Sequence, residues 1–152
     1  MNTSVSTFYP GLRLSKCLAA ALIDPHSMLR ITAERVGSAV VVHAGGEIDA
    51  RNTTTWRCVL DEVTAAAVAP GPVVIDLDGL DFLSCSAFAA LSEAADRCRS
   101  QGIPLRLVST RSAVDRVLAA TGWQDQLPVF GDVWAAVDTD NTPAAASLDS
   151  AL

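Results

Sequence analysis

No apolar run in this chain approaches the eighteen or so residues that a helix needs to cross a membrane. Cys17 to Ile23 is a short stretch closed by Asp24-Pro25. With Arg13 and Lys16 ahead of it, the stretch has the outline of a secretion signal but lacks a small-residue cleavage site, so export is not expected. Basic charge is scarce as well. Lys and Arg number 11 against 17 Asp and Glu, and the net charge of -6 leaves no positive field for nucleic acid or an anionic membrane surface. A protein partner is the better expectation. The four cysteines, Cys17, Cys58, Cys85 and Cys98, show no CxxC spacing, which argues against a zinc site or a thioredoxin-type motif and fits reduced thiols in a cytoplasm. Only His26 and His43 are present, neither near another ligand type at metal spacing. Both read as structural or solvent-exposed, and no metal or cofactor is expected.

What is there suits a single domain: 152 residues, 50% of them hydrophobic, can bury a sizeable core. Met28 to Val36 and Ala39 to Ala44 alternate or run apolar around Gly37-Ser38, which predicts an antiparallel hairpin, followed by a turn at Gly45-Gly46. From Asn52 onward, Trp56, Val59, Leu60, Val63 and Ala67 recur at helical spacing with Arg57, Asp61 and Glu62 on the other face, until Pro70-Gly71-Pro72 ends the helix. Val73-Val74-Ile75 reads as a strand covered on both sides. A second helix carries the stripe Phe88, Leu91, Ala95, Cys98 and stops near Gly102; Pro104 to Val108 is then a strand parallel to the previous one. A third helix through Val114, Val117 and Leu118, a short strand at Leu127 to Phe130 and a helix from Asp132 to Val137 complete the pattern. The expected fold class is α/β, a mixed sheet of four to five strands faced by about four helices, over residues 28–138. Residues 1–27 show no clear period and are expected to form a flexible extension. The tail, 139–152, has too little large apolar surface to pack and is expected to be disordered.

Hydroxyl and thiol side chains crowd one point, where the loop Leu80-Asp81-Phe82-Leu83-Ser84-Cys85-Ser86 becomes the second helix. Free N–H groups and the positive end of the helix dipole favour an anion there, so Ser84 or Ser86 can carry a phosphate; Ser84 also suits a plain N-cap. Catalysis would need a nucleophile with a base, a metal or paired carboxylates, and no such set is convincing, so an enzyme is not expected. Asp49, Asp76 and Asp78 lie at predicted strand ends. They either gather near Ser86 or, the favoured reading, Asp49 caps the following helix while Asp76 and Asp78 shape a turn. Cys85 offers a redox alternative, since a thiol in a first helical turn has its thiolate favoured. Cys98 lies about 20 Å further along the same helix, which leaves Cys58 as the more plausible mate. The plain alternatives are a small filler at Cys85, or a small-anion sensor at the same helix terminus.

The order and spacing of Gly45-Gly46-Glu47-Ile48-Asp49, Val73-Val74-Ile75-Asp76-Leu77-Asp78, the serine loop and Val117-Leu118-Ala119-Ala120-Thr121-Gly122-Trp123 resemble the STAS family. This is the domain of bacterial anti-sigma factor antagonists and of the cytoplasmic ends of sulfate transporters, and the similarity covers roughly Met28 to Asp138. It implies a STAS-like sheet and a cytoplasmic, non-catalytic protein that captures an anti-sigma factor, often a serine kinase in this family, and so frees a sigma factor. Antagonists of the family typically carry Asp-Ser-Ser-Gly or Asp-Ser-Thr-Gly at the loop, with the second hydroxyl as phosphoacceptor. Here Ser84, Cys85 and Ala87 replace the Asp, the first Ser and the Gly, and Ser86 alone stands at the phosphoacceptor position. By the same resemblance Asp49 matches an acidic residue that assists phosphoryl transfer, and the partner surface comprises Gly46, Glu47, Asp49, Ser84, Cys85 and Ala87. Phosphate on Ser86 would add nearly two negative charges there and weaken capture. Direct nucleic-acid or membrane contacts are not expected, and the protein is expected to be a monomer or weak homodimer.

Overall fold

Among the described residues, five strands form one sheet in the order of the chain. In the computed structural model, which describes residues 28–138, these are β1 (Leu29–Val36), β2 (Ala39–Ile48), β3 (Val73–Leu83), β4 (Leu105–Val108) and β5 (Val129–Phe130). The helices are α1 (Thr53–Ala66), α2 (Cys85–Ser100), α3 (Ser112–Thr121) and α4 (Val133–Asp138). The expectations for residues 1–27 and 139–152 lie outside the described residues. Only β1 and β2 are antiparallel; β2, β3, β4 and β5 run parallel, joined through the helices. The mixed α/β architecture is therefore the expected one.

Side-chain alternation assigns the two faces. Val40, Val42 and Ala44 of β2, Val73, Ile75 and Leu77 of β3 and Leu105 and Leu107 of β4 point to one side, where they meet Trp56, Leu60, Leu91 and Leu118 in the main core. Ala39, Val41, Val74 and Val108 point to the other, where Ala136 of α4 covers them in a smaller cluster. All four residues of β4 are buried, as fits a strand with cover on both faces.

Two strands are longer than the sequence suggests. Instead of turning at Gly45-Gly46, β2 passes through both glycines to Ile48, with irregular register between His43 and Gly45 and again between Gly46 and Glu47. The pair forms a bulge. Gly46 has φ of 94°, and a Cβ there would lie 1.7 Å from the Met28 carbonyl oxygen, so only glycine fits. Strand β3 likewise runs on past Ile75 to Leu83, with Asp76 and Asp78 inside it rather than in a turn. The overhang pairs Glu47 with Phe82 and Ile48 with Leu83, so the loops that leave β2 and β3 emerge side by side.

Candidate functional site

Where the two loops emerge, a set of short hydrogen bonds fixes them to each other. The Ser84 N–H donates to the Ile48 carbonyl at 2.9 Å. Asn52, nearly buried, accepts from the Asp49 N–H at 2.9 Å and donates from Nδ2 to the Glu47 carbonyl at 2.8 Å, which pins the Asp49–Asn52 loop onto the end of β2. Beneath them Trp56, fully buried, donates its indole N–H to the Ala87 carbonyl at 3.2 Å and locks α1 against the start of α2. The loop ends are thus held from the backbone, the strand ends and the core at once.

Three hydroxyls line up on this support. Ser84 sits at the N-cap of α2, and its Oγ accepts from the Ala87 N–H at 3.2 Å, as the sequence predicts. Ser84 Oγ is 3.0 Å from Ser86 Oγ, which is in turn 3.3 Å from Thr53 Oγ1. Because Thr53 donates its own hydrogen to the Asp49 carbonyl at 2.6 Å, its oxygen is left to accept from Ser86. Ser86 and Cys85 are exposed, Glu47, Asp49 and Ser84 half-buried, and Ala87 and Gly46 buried, so the last two shape the site from below. A largely apolar cavity of about 260 Å³ adjoins the loop, lined by Leu80, Leu83, Phe88, Val114 and Val117 together with the charged Asp81 and Arg111, with Phe82 52% exposed at its rim.

The carboxylates do not gather around Ser86. Asp49 reaches it only through its backbone carbonyl and Thr53, while its side chain is held by Arg51 at 2.9 Å; that guanidinium keeps the carboxyl below the usual carboxylate range. Nor does Asp49 cap α1, whose N-cap is Asn52. Asp76 lies in mid-strand, where its carboxylate bonds the His43 ring at 2.9 Å. Asp78 accepts from the Thr110 N–H at 2.8 Å and so ties β3 to the loop before α3. The reading of His43 as structural fits its half-buried, doubly bonded ring; His26 lies outside the described residues.

Of the cysteines, Cys58 and Cys85 are exposed free thiols and Cys98 is buried against Thr64, where burial pushes its thiol pKa up. Cys17 lies outside the described residues. Sequence reasoning missed Thr53, Asn52 and the indole of Trp56 as parts of the site. For Thr53 the signal was present: Thr53-Thr54-Thr55 follows Asn52 at a helix start, the same hydroxyl-at-N-terminus pattern that marked Ser84 and Ser86. Among the described residues no cluster of three His, Cys, Asp or Glu side chains is arranged to hold a metal ion, and no helix is long and apolar enough to cross a membrane.

The sequence matches the STAS domain family over residues 30–136. The chain belongs to that family. Among relatives of this STAS protein is Rv2638 of Mycobacterium tuberculosis strain H37Rv, described as an anti-anti-sigma factor, 49% identical over 120 residues that span 79% of this chain and 81% of the relative. The anti-sigma-F factor antagonist RsfA, from M. tuberculosis strain CDC 1551, is 48% identical over 101 residues, 66% of this chain and 79% of RsfA. Solved structures share the fold. An anti-sigma factor antagonist from Mycobacterium paratuberculosis superposes with a TM-score of 0.64 at 22% identity, covering 75% of this chain and 97% of that one. SpoIIAA of Bacillus in its unphosphorylated form gives 0.57 at 17% identity, covering 73% and 96%.

Proposed function

We propose that this protein is an anti-sigma factor antagonist: a bacterial, cytoplasmic binding protein, without catalysis of its own, that captures an anti-sigma factor and so releases a sigma factor. The observation that carries the proposal is the exposed Ser86 at the start of α2, 3.3 Å from Thr53 where the Asp49–Asn52 loop enters α1, in a chain whose relatives at 48–49% identity are described as such antagonists. We assign the partner surface to Glu47, Asp49, Ser84, Cys85 and Ser86, set out by Gly46 and Ala87, on a domain of residues 28–138. Ser86 is the phosphoacceptor in this reading and a serine kinase the anti-sigma factor. The position of Ser86 in the first turn of α2, at the positive end of the helix dipole, supports a phosphate there. Phosphate would place nearly two negative charges on the exposed face that a docked protein must cover.

The test is a pull-down from the native cytoplasm with the full chain as bait and mass spectrometry of what it retains. An anti-sigma factor enriched by wild type is the expected outcome; its absence, with other proteins recovered reproducibly, would remove the antagonist reading. A redox role for Cys85 is a second reading, favoured by an exposed thiol at the first residue of α2, with Cys58 the other exposed thiol.

A further inference from the structure

On the sheet face opposite the main core, a histidine is held between two acids from different strands. His43 of β2 has Nδ1 2.9 Å from Asp76 Oδ2 on β3 and Nε2 3.1 Å from Glu34 Oε2 on β1. The cluster is half-exposed, with side-chain exposures of 38% for His43, 40% for Glu34 and 21% for Asp76. The two acids engage opposite ring nitrogens, so the three side chains share no common point where a cation could sit. What they share is a proton count. An imidazolium has two N–H donors and satisfies both carboxylates, whereas a neutral ring has one and must turn a lone pair towards the other acid.

Which acid is then released follows from the neighbours. Asp76 is the closer and the more buried, and its second oxygen accepts from the Asp78 N–H at 3.0 Å, so its carboxylate is fixed in place. Glu34 is the more exposed partner, on a strand at the edge of the sheet. We propose that Glu34, His43 and Asp76 form a proton-controlled clamp: the protonated ring ties edge strand β1 through β2 to β3, and on losing a proton it keeps Nδ1–H on Asp76 and lets Glu34 go. The charged groups acting on the ring are Glu34 from β1 and Asp76 from β3, both acidic; Thr32 of β1 stands directly across from His43, and the Arg30 guanidinium lies further along the same face, over Gly45. The hydrogen bond to Asp76, opposed by desolvation and supported by Glu34, raises the His43 pKa above the ordinary value. A raised pKa means that the clamp's contribution is full at low pH, below the unfolded-state value of about 6.5, and is lost as pH rises through the folded-state value.

The test is nuclear magnetic resonance on the full-length ¹⁵N-labelled chain between pH 5.5 and 9, following the imidazole nitrogens and the amide protection factors of β1. His26→Gln identifies the other imidazole's signals. The His43 midpoint is expected above about 6.5, with the neutral ring protonated at Nδ1. Protection in β1 is expected to fall roughly threefold to tenfold across that midpoint, the size of one half-exposed charge-assisted hydrogen bond. Glu34→Gln should abolish the fall, since an amide can serve either form of the ring, and His43→Gln should make β1 indifferent to this pH range. A midpoint at or below the ordinary value, β1 protection that does not change across it, or the same fall in His43→Gln would overturn the clamp.

Discussion

Ser86 is accessible because its neighbours take the structural duties. Ser84 caps α2, Asn52 holds the adjacent loop, Trp56 secures the helix start from below, and Thr53 takes the Ser86 hydrogen bond, so the Ser86 oxygen needs no place in the fold. The same division separates Cys85 from Cys98. The first is an exposed thiol at the dipole's positive end and the second is packed beside Thr64. At this scale the redox reading makes a direct prediction: mild peroxide should change the wild-type protein's affinity for its anti-sigma factor reversibly, and Cys85→Ser should bind normally yet ignore oxidant. Binding measured before and after peroxide and then reductant decides it. An identical response from both proteins, or none from either, leaves Cys85 an exposed thiol with no redox role and not the small packing filler that the sequence also allowed. Ser84 and Ser86 were legible in the sequence because capping is local. Asn52 and Trp56 were not, since their partners are the carbonyls of Glu47 and Ala87, and the second lies 31 residues away.

Among the elements, the β2 bulge does most to place the site. By carrying β2 through Gly45 and Gly46 to Ile48, it brings Ile48 beside Leu83 and sets the Asp49 loop against the serine loop. Gly46→Ala should therefore cost about 2 kcal/mol or more, combining a strained backbone with a clash on the Met28 carbonyl. Chemical denaturation of the full chain checks this; a variant as stable as wild type would mean that the bulge relaxes without cost. The bulge also shows what sequence could not resolve. A glycine pair signals either a turn or a bulge, and the strands that decide it, β1 and β3, lie at a distance in the chain. In β3, Ile75, Leu77 and Leu80 are buried while Asp76 and Asp78 between them are half-buried, so the acids that break the apolar run lie within the strand. Val73-Val74-Ile75 predicts only a short strand, because Asp76, Asp78 and Gly79 interrupt the apolar run that β3 carries on to Leu83. The helices were easier, since each carries its apolar stripe within a few turns.

Over the described domain, the sheet gathers the hydroxyls and the exposed first-turn thiol at one end, away from the Glu34–His43–Asp76 cluster. The hydroxyls, the exposed thiol of Cys85, the Asp49 loop and the apolar cavity with Phe82 at its rim all lie where β2 and β3 overhang their neighbours. A mixed polar surface around an apolar patch suits a protein partner better than a small substrate. With net charge -6, that surface is disturbed by one more anion at Ser86. The most direct measurement is a titration of wild type, Ser86→Ala and Ser86→Glu against the recovered anti-sigma factor, by calorimetry at fixed salt. Ser86→Ala is expected to bind like wild type and Ser86→Glu at least about tenfold more weakly, a difference of some 1.4 kcal/mol. Equal affinity for all three would contradict a switch at Ser86, and phosphate mapping to Ser84 would move it two residues.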